Sequence, residues 1–264
     1  MSVQGYWADL KAPAFRALPN DVVAVLPVGA TEQHGPHLPV SVDRDLVDAV
    51  AAQCLTRLGD DQNVLILPTI AVSKSGEHDR HPGTLSLSAD TLLATLRDIG
   101  ASVSQAGVER LVLFNGHGGN TAVLDIVARD LRMAHGLIVA TCSWFGFAEY
   151  EGLIDDGALA HDLHAGDIET SAMLAARPGL VEMGKARNFA TATQDWEAEN
   201  RFTGLSAQPA RPGWIIDDLN SEGACGDASA ATAEKGSRLL ESAARNFALF
   251  LAEFAVFDHR RCSV

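Results

Sequence analysis

The sequence predicts an α/β fold, a layered α/β/α sandwich with a mainly parallel central sheet. The first observation is alternation, because short apolar runs typical of strands are followed by segments with apolar residues at helical spacing. The second is that these runs are apolar at nearly every position, as expected for strands covered on both faces. The third is that each intervening segment is long enough for a crossover helix between parallel strands.

The predicted elements follow one another along the chain without an obvious domain boundary. The strands are residues 22–30, 63–72, 110–116 and 136–144. The helices are residues 43–58, a helix capped by Ser88 that runs to about residue 105, residues 120–135, a helix beyond residue 164 that ends at Pro178, and a final helix capped by Asp227. No repeat or linker is found, so residues 1–264 are interpreted as a single domain in which residues 185–226 form loops near a site.

The composition indicates a soluble protein with a full-sized core, since 47% of the residues are apolar and 20% are charged. The 34 acidic residues outnumber the 20 basic ones and give a net charge of −14. That balance argues against nucleic acid and membrane surfaces as partners, and it suits a protein that binds divalent cations. No signal peptide is found and no C-x-x-C pair occurs among Cys54, Cys142, Cys225 and Cys262, so reduced thiols in the cytoplasm are expected.

Seven of the 9 histidines lie in four short segments: "EQHGPH", "EHDRHPG", "NGHGGN" and "HDLHAGDIE". Three of these segments follow predicted strands closely, and the carboxyl ends of strands are where open α/β sheets bind ligands. A single loop histidine is more often hydrogen-bonded than metal-bound. Here acidic residues accompany the histidines in three segments, and mixed imidazole and carboxylate ligands suit Zn²⁺ or Mn²⁺. The four segments are therefore expected to converge on a metal site.

The segment "NGHGGN" (115–120) adds a second kind of information. Glycines directly after a strand let a ligand approach the backbone, and the following helix offers free N–H groups to an anion. The segment lacks the Lys-Ser/Thr pair of a P-loop and the spacing of a dinucleotide fingerprint, so a phosphate cradle is the weaker interpretation. His117, among small residues, fits a ligand that projects into a crowded site.

Five blocks of sequence carry a family resemblance. They are "LPVGATEQHGPHLPVSVD", "GEHDRHPGTLSLS", "FNGHGGN", "HAGDIETS" and "GACGDASAATAEKG". In this order, over about residues 20–240, they resemble the creatininase family of metal-dependent amidohydrolases. The resemblance implies a layered α/β sandwich with a buried site for two divalent ions per chain, Zn²⁺ or Mn²⁺ or both, with iron as an alternative. It also implies a homohexameric assembly.

The resemblance assigns metal ligands residue by residue. Asp43 would bridge the two ions, Glu32 and His117 would complete one site, and His34 would serve the other. The expected ligands are Glu32, His34, Asp43, His117 and Glu169.

The sequence departs from the creatinine-hydrolysing members of the family at three positions. Gly119 stands where those members have a ligating glutamate, and Glu169 is the expected substitute. Gly118 stands where they have a tyrosine that shapes the creatinine pocket, and Ala160 stands where a tryptophan is expected. Creatinine is therefore not the expected substrate. Ser75 and Gly118 are expected to contact the substrate.

The predicted activity is hydrolysis of a C–N amide bond in a small cyclic amide, a formamide or a related compound by a metal-bridging hydroxide. His164 is the predicted proton donor, because it precedes Glu169 by five residues. Glu77 is the second candidate, and support of a ligating imidazole is its alternative role. A mycofactocin-type peptidase and a true creatinine amidohydrolase are the alternative enzymes. A non-catalytic binding protein is disfavoured, because clustered carboxylates are costly to keep in an idle site.

The remaining candidate residues are given supporting roles. His37 and His81 are expected to support the ligands, and His161 is interpreted as a solvated neighbour of the site. Trp196 and Trp214, in the irregular stretch, are expected to line either a pocket or a subunit interface.

Overall fold

The computed structural model describes residues 2–205 and 208–259, and a parallel sheet of five strands forms the centre of this part of the chain. Its strands are β1 (Gln4–Tyr6), β2 (Val23–Val28), β3 (Val64–Ile66), β4 (Arg110–Asn115) and β5 (Ile138–Ser143). They lie in the order β1-β3-β2-β4-β5, and each neighbouring pair is parallel. A short antiparallel pair, β6 (Asn188–Phe189) with β7 (Gly226–Asp227), lies outside this sheet.

Helices cover both faces of the sheet. They are α1 (Val42–Leu55), α2 (Ala89–Gln105), α3 (Thr121–His135), α4 (Asp156–Leu159), α5 (Asp167–Ala176), α6 (Thr193–Glu199), α7 (Ile216–Leu219) and α8 (Ala233–Val256). Helices α1, α5 and α8 share one hydrophobic core with the sheet, and α2 and α3 share a second core on its other face. The predicted α/β/α sandwich with a parallel sheet is confirmed.

Strand β2 shows why the predicted strands are apolar at every position. Val23 and Val25 face the core beneath α1 and α8, whereas Ala24 and Leu26 face the core beneath α2 and α3. Successive side chains of a strand point to opposite faces, so a strand covered on both sides must be apolar throughout. All six residues of β2 are buried.

Two of the predicted elements need correction. The strand predicted over residues 63–72 is only three residues long, because the chain leaves the sheet after Ile66. The predicted cap of the last helix was wrong: the carboxylate of Asp227 accepts the N–H of Ser229 in a short 3-10 helix. Thr232 caps α8 instead by accepting the N–H of Lys235. Ala231 is extended between the two helices, which separates them.

Stability is expected to fall by about 1 kcal/mol when Ser88 is replaced by alanine. Ser88 caps α2 as predicted, because its side chain accepts the N–H of Thr91. Urea denaturation measures the change, and Ser88→Asp, which keeps a capping oxygen, is the control. Equal unfolding free energies for the alanine and aspartate variants would show that the cap does not contribute.

Among the described residues, no helix is both long and apolar enough to cross a membrane. Cys54, Cys142 and Cys225 are free thiols. Cys262, the fourth predicted free thiol, lies outside the described residues.

Candidate metal centre

The candidate site lies where three adjacent strands end. Glu32 and His34 follow β2, His78 follows β3, and His117 follows β4. Strand β2 lies between β3 and β4, so the chain passes from β2 to one neighbour and later returns to the other. Such a reversal of strand order opens a crevice at the carboxyl ends of the strands, which is where α/β sheets bind ligands. The order of the strands therefore brings separate histidine segments together.

Two glycines bring the first turn of α1 onto this crevice. A Cβ atom at Gly29 would lie 2.6 Å from the Cα of Arg44, and one at Gly116 would lie 2.5 Å from the carbonyl oxygen of Asp43. Both distances are too short for any side chain, so only glycine permits this approach of helix and strand ends. The close packing places Asp43, which is buried, among the residues that follow β2 and β4.

The first group of ligand atoms comes from Glu32, Asp43 and His117. The Nε2–H of His117 donates to the carbonyl oxygen of Lys74 at 3.0 Å, which leaves a lone pair on Nδ1. That Nδ1 lies 3.1 Å from Oε1 of Glu32 and 3.6 Å from Oδ2 of Asp43. Burial alone would lower the pKa of His117, but the carboxylates of Glu32, Asp43 and Glu77 raise it to about 9, so without a cation Nδ1 carries a proton that faces Glu32. When His117 is neutral, its Nδ1 lone pair and the two carboxylates can all coordinate a cation.

The second group comes from His34, Asp43 and Glu169, so it shares Asp43 with the first. The Nδ1–H of His34 donates to the carbonyl oxygen of Glu32 at 3.0 Å. Its Nε2 then faces Oδ1 of Asp43 at 3.4 Å and Oε2 of Glu169 at 3.8 Å. Each oxygen of Asp43 faces a different group, which is the arrangement that a carboxylate bridging two ions requires.

The buried polar atoms of both groups lack the partners that such atoms normally have. Both carboxylate oxygens of Glu32, Nε2 of His34 and Oδ2 of Asp43 have no hydrogen-bond partner in the part of the chain that the structure describes. Buried polar atoms without partners are rare, and buried charges are paired or coordinate metals. The donor set of imidazole nitrogens and carboxylate oxygens fits Zn²⁺ or Mn²⁺.

The pKa shifts in the metal-free protein describe the same crowding of charge. Burial and the nearby charge of Glu32 raise the pKa of Asp43, and burial raises the pKa of Glu169 to about 7. Burial alone would lower the pKa of His34, but the carboxylates of Asp43, Glu169 and Glu32 raise it to about 10. Protons therefore balance the negative charge when no cation is present, and metal binding must displace them.

His164 and His78 flank the two groups that share Asp43, and His164 forms a third set of three potential ligand atoms with Glu32 and His34. The Nε2–H of His164 donates to the carbonyl oxygen of Gln33 at 2.8 Å, so its Nδ1 lone pair faces Oε1 of Glu32 at 3.7 Å. Burial and the neighbouring His34 hold the pKa of His164 well below its usual value. The His164 ring lies between those of His34 and His78, with centroids 4.2 Å and 4.4 Å away.

His78 is a site residue for which the sequence predicted no role. The amide Nε2 of Gln33 donates to Nδ1 of His78 at 2.8 Å, so the Nε2–H of His78 points toward Oε1 of Glu32 at 3.5 Å. This tautomer offers a proton rather than a lone pair, so His78 supports Glu32 and does not join the ligands. Its signal in the sequence was its place directly after Glu77 in "EHDRHPG".

Gly119 provides space for Glu77. Oε2 of Glu77 accepts a hydrogen bond from Nζ of Lys74 at 2.5 Å, and Oε1 lies 3.7 Å from Nε2 of His117. A Cβ atom at Gly119 would overlap both Oε1 of Glu77 and Nε2 of His117. Burial alone would raise the pKa of Glu77, but the hydrogen bond from Lys74 and the nearby His117 hold it below the usual value. Glu77 is therefore ionised at neutral pH.

A cavity of about 490 Å³ adjoins these residues. Its wall includes Glu77, His117, Gly118 and His164, together with residues 211–215. Gly118, the predicted substrate contact, lines this cavity, as do residues 211–215 of the stretch 185–226. That stretch is not made of loops alone, because it contains the short helices α6 and α7. The cavity is lined by Lys74, Gly76, Glu77, His78, His117, Gly118, Gly119, Leu163, His164, Arg211, Pro212, Gly213, Trp214 and Ile215.

Ser75 requires a correction, because its side chain is fully buried and does not line the cavity. Burial alone would raise the pKa of Glu32, but His117 and His34 hold it below the usual value, and the hydroxyl of Ser75 makes a smaller contribution in the same direction. The hydroxyl of Ser75 therefore lies near Glu32 and away from the cavity, and it has no hydrogen-bond partner among the described residues.

The remaining candidate histidines lie outside both ligand groups. His37 contacts the hydroxyl of Thr170 at 2.9 Å and stacks on Phe189. His81 pairs with Asp217 at 2.8 Å. His161 is half-buried and contacts Thr193, so it is not the solvated neighbour that was predicted.

The two candidate tryptophans differ. Trp214 lines the cavity. Trp196 packs against a small separate core built from Leu205, Ile216, Leu219 and Cys225.

Comparisons with known proteins agree with this geometry. The family model Creatininase, described as creatinine amidohydrolase, matches residues 8–251. Creatinine amidohydrolase from Pseudomonas putida is 33% identical over 251 residues, 89% of each chain. The mycofactocin precursor peptide peptidase of Mycobacterium tuberculosis (strain CDC 1551 / Oshkosh) is 33% identical over 224 residues, which cover 81% of this chain and 78% of the relative.

Solved creatininases share the fold over nearly their whole length. A structure described as "Creatininase Mn" has a TM-score of 0.73 and 28% sequence identity, and the match covers 96% of this chain and 99% of that one. A glutamate-to-glutamine mutant of creatininase described as "Zn-Zn type" has a TM-score of 0.72 and 29% identity, with the same coverage. On the family match and the two relatives at 33% identity, the chain belongs to the creatininase family.

Proposed function

We propose that the chain is a binuclear metal-dependent amidohydrolase. Its family membership makes it a hydrolase of C–N amide bonds. The observation that supports two ions is the pair of buried ligand groups that share Asp43, since each group brings three potential ligand atoms within 4.8 Å of one another. Zn²⁺ and Mn²⁺ are the proposed ions, because the donor set suits both and related structures are described with each.

The proposed ligands form two sets. Glu32, Asp43 and His117 would hold one ion, and His34, Asp43 and Glu169 would hold the other. When bound, such ions polarise a carbonyl group and lower the pKa of water toward neutrality. A carbonyl carbon in the adjoining cavity is then open to attack by water.

In this proposal, the backbone after β4 would stabilise the charge that develops on the carbonyl oxygen. Gly118 and Gly119 line the cavity and precede α3 in a short 3-10 turn. No group that the structure describes accepts a hydrogen bond from either N–H. We assign these two N–H groups to the oxyanion, because preorganised donors aimed at developing charge are an effective form of catalysis.

Proton transfer is assigned to His164 rather than Glu77. His164 is neutral, because its pKa is well below the usual value, and the lone pair on Nδ1 faces the ligands. It accepts a proton from the attacking water and then delivers that proton to the leaving nitrogen. Glu77 is ionised and paired with Lys74, so it has no proton to give. Its proposed role is to pair with Lys74, whose carbonyl oxygen accepts the N–H of His117.

Replacing His164 with glutamine is expected to lower kcat by about 100-fold to 10,000-fold, the usual contribution of a general acid or base. Metal content is expected to stay the same, because His164 belongs to neither proposed ligand set. His161→Gln is the matched control, since His161 contacts Thr193 rather than the site. Steady-state kinetics and elemental analysis of both variants test this role, and an equal loss of kcat in the two would contradict it.

The proposed substrate is a small cyclic amide, a formamide or a related compound. A Cβ atom at Gly118 would meet nothing within 4 Å, so the cavity is open at the position where the family resemblance led to the expectation of a tyrosine. The second candidate is the trimming of a short precursor peptide. The same opening leaves room for a longer substrate, and the peptidase relative, which is 33% identical to this chain, supports this candidate.

The test of the proposed function is a substrate panel on protein loaded with Mn²⁺ or Zn²⁺. Creatinine, hydantoins, formamides and short peptides are compared before and after chelation. We expect turnover of a cyclic amide or formamide that stops on chelation and returns with added metal. Turnover of peptides alone would favour the peptidase, and activity that survives complete metal removal would contradict the mechanism.

We also propose a homohexamer located in the cytoplasm. Family resemblance supports the assembly, and the free thiols of Cys54, Cys142 and Cys225 are consistent with a reducing compartment. Analytical ultracentrifugation of the purified protein measures the assembly directly.

A further inference from the structure

Part of the wall of the cavity beside the metal centre lies outside the four histidine segments. Residues 211–215 form this part, and they contribute one cationic side chain, Arg211, and one aromatic side chain, Trp214. The same cavity contains the ligand His117 and the proposed proton carrier His164. A molecule bound at the metal centre therefore lies in the same cavity as Arg211.

The segment that carries Arg211 is anchored on the side that leads into α7. The carboxylate of Asp218 accepts the N–H of Ile215 at 2.9 Å, and Ile216 is buried in the small separate core. Asp217 contacts His81 at 2.8 Å, which ties α7 to the loop that carries Glu77. These contacts fix the backbone from Ile215 onward, four residues after Arg211, relative to the centre.

Arg211 is, like Arg201, an exposed side chain, but it lies at the wall of the cavity and brings a positive charge to it. Besides the proposed metal ligands, the charged side chains of the wall are Lys74, Glu77 and Arg211. Lys74 and Glu77 neutralise each other in an ion pair of 2.5 Å. Within residues 2–205 and 208–259, no carboxylate forms an ion pair with Arg211. Placing an unpaired arginine in a cavity of a chain with net charge −14 favours an anionic ligand there.

We propose that Arg211 binds a carboxylate of the substrate, so that the enzyme acts on an amide or formamide that also carries an acid group. A guanidinium group forms paired, charge-assisted hydrogen bonds with a carboxylate, which fixes its orientation. Leu163 and Trp214 offer apolar contacts to the remainder of the same molecule. This inference rests on the proposed function, because it names the class of substrate for that site.

Binding of matched acid and amide probes tests the proposal without requiring turnover. The probe pairs are N-formylglycine with N-formylglycinamide and hydantoin-5-acetic acid with hydantoin-5-acetamide, each titrated calorimetrically into the Mn²⁺-loaded protein. For at least one pair we expect the acid to bind tenfold or more tightly than its amide. In Arg211→Glu this ratio should fall to one or below, and in Arg211→Lys part of it should remain.

Arg201→Glu is the matched control. Arg201 lies in the same irregular stretch, is exposed and does not line the cavity, and its substitution changes the net charge equally. We expect the acid-to-amide ratio to stay at the wild-type value. A ratio near one in the wild type, no binding of any probe, or a preference that survives Arg211→Glu would overturn the proposal.

Different measurements would contradict the proposed function and the Arg211 proposal. Failure of the proposed function appears as absent metal or as hydrolysis that does not depend on metal. Failure of the Arg211 proposal appears in the acid-to-amide binding ratio, even when the neutral probes are hydrolysed by the metal-loaded protein.

Discussion

Replacing Asp43 with asparagine is expected to remove both of the proposed metal ions and to lower kcat/KM by at least about 1,000-fold. Oδ1 of Asp43 faces Nε2 of His34 at 3.4 Å, and Oδ2 faces Nδ1 of His117 at 3.6 Å. No other carboxylate is shared by both ligand groups among the described residues. An amide has the same shape but no charge, so the variant removes the bridge and leaves the packing intact. Elemental analysis and kinetics of the same preparation measure both losses.

The thermal stability of the metal-free protein separates this explanation from misfolding. Asp43 and Glu169 are buried close together and burial raises the pKa of both, so their ionised forms oppose folding when no cation is bound. Removing one of these charges should leave the metal-free Tm unchanged or higher, whereas the rise in Tm on adding Mn²⁺ should disappear. A metal-free Tm that falls by ten degrees or more would indicate a structural role for Asp43 instead.

Replacing Gly119 with alanine is expected to lower kcat/KM by about 10-fold to 100-fold, the typical cost of disturbing the support of a metal ligand. The added methyl group would overlap Oε1 of Glu77 and Nε2 of His117, and it would lie 3.0 Å from the carbonyl oxygen of Lys74. His117 must then turn away from the hydrogen bond that orients its ring. Metal affinity and kinetics of the variant measure the effect.

Gly118→Ala is the matched control for this substitution. The two glycines are adjacent and neither has a positive φ, but a Cβ atom at Gly118 meets nothing within 4 Å. Metal affinity of Gly118→Ala should therefore equal that of the wild type. If both variants lost metal to the same degree, general loss of backbone freedom, rather than overlap with Glu77 and His117, would be the cause.

The sequence was sufficient for the fold because the strands that form the centre of the sheet are apolar at every position. The periodicity located β2, β4 and β5 and their helices within about two residues at most ends. It missed β1, because a three-residue edge strand that is partly exposed has no distinct pattern. It also predicted too long a strand for β3, because "PTIAV" remains largely apolar after the chain has left the sheet.

The site was predictable to the extent that its residues lie in compact segments. Glu32, His34, Asp43 and His117 were expected to lie together, and the strand order explains why they do. Glu169 lies in the fourth histidine segment, "HDLHAGDIE", but its role as a ligand and the bridging role of Asp43 both came from the family resemblance. The support that Gln33 gives to His78 depends on a contact between residues 45 positions apart, which no local pattern encodes.

The contribution of residues 211–215 was the least predictable part of the site. The sequence placed the 185–226 stretch near a site but assigned Trp214 no definite place, and Arg211 was not considered. Their position depends on the contact of Asp217 with His81 and on the small core around Ile216. Such contacts join distant segments by packing, so they become visible only in three dimensions.

The metal content of the protein is the most direct test of the central claim. The purified chain is stripped with a chelator, dialysed against Mn²⁺ or Zn²⁺, and measured by mass spectrometry of the elements against protein concentration. The two ligand groups that share Asp43 predict two ions per chain. One ion or none per chain, in protein that hydrolyses its substrate, would contradict the binuclear centre.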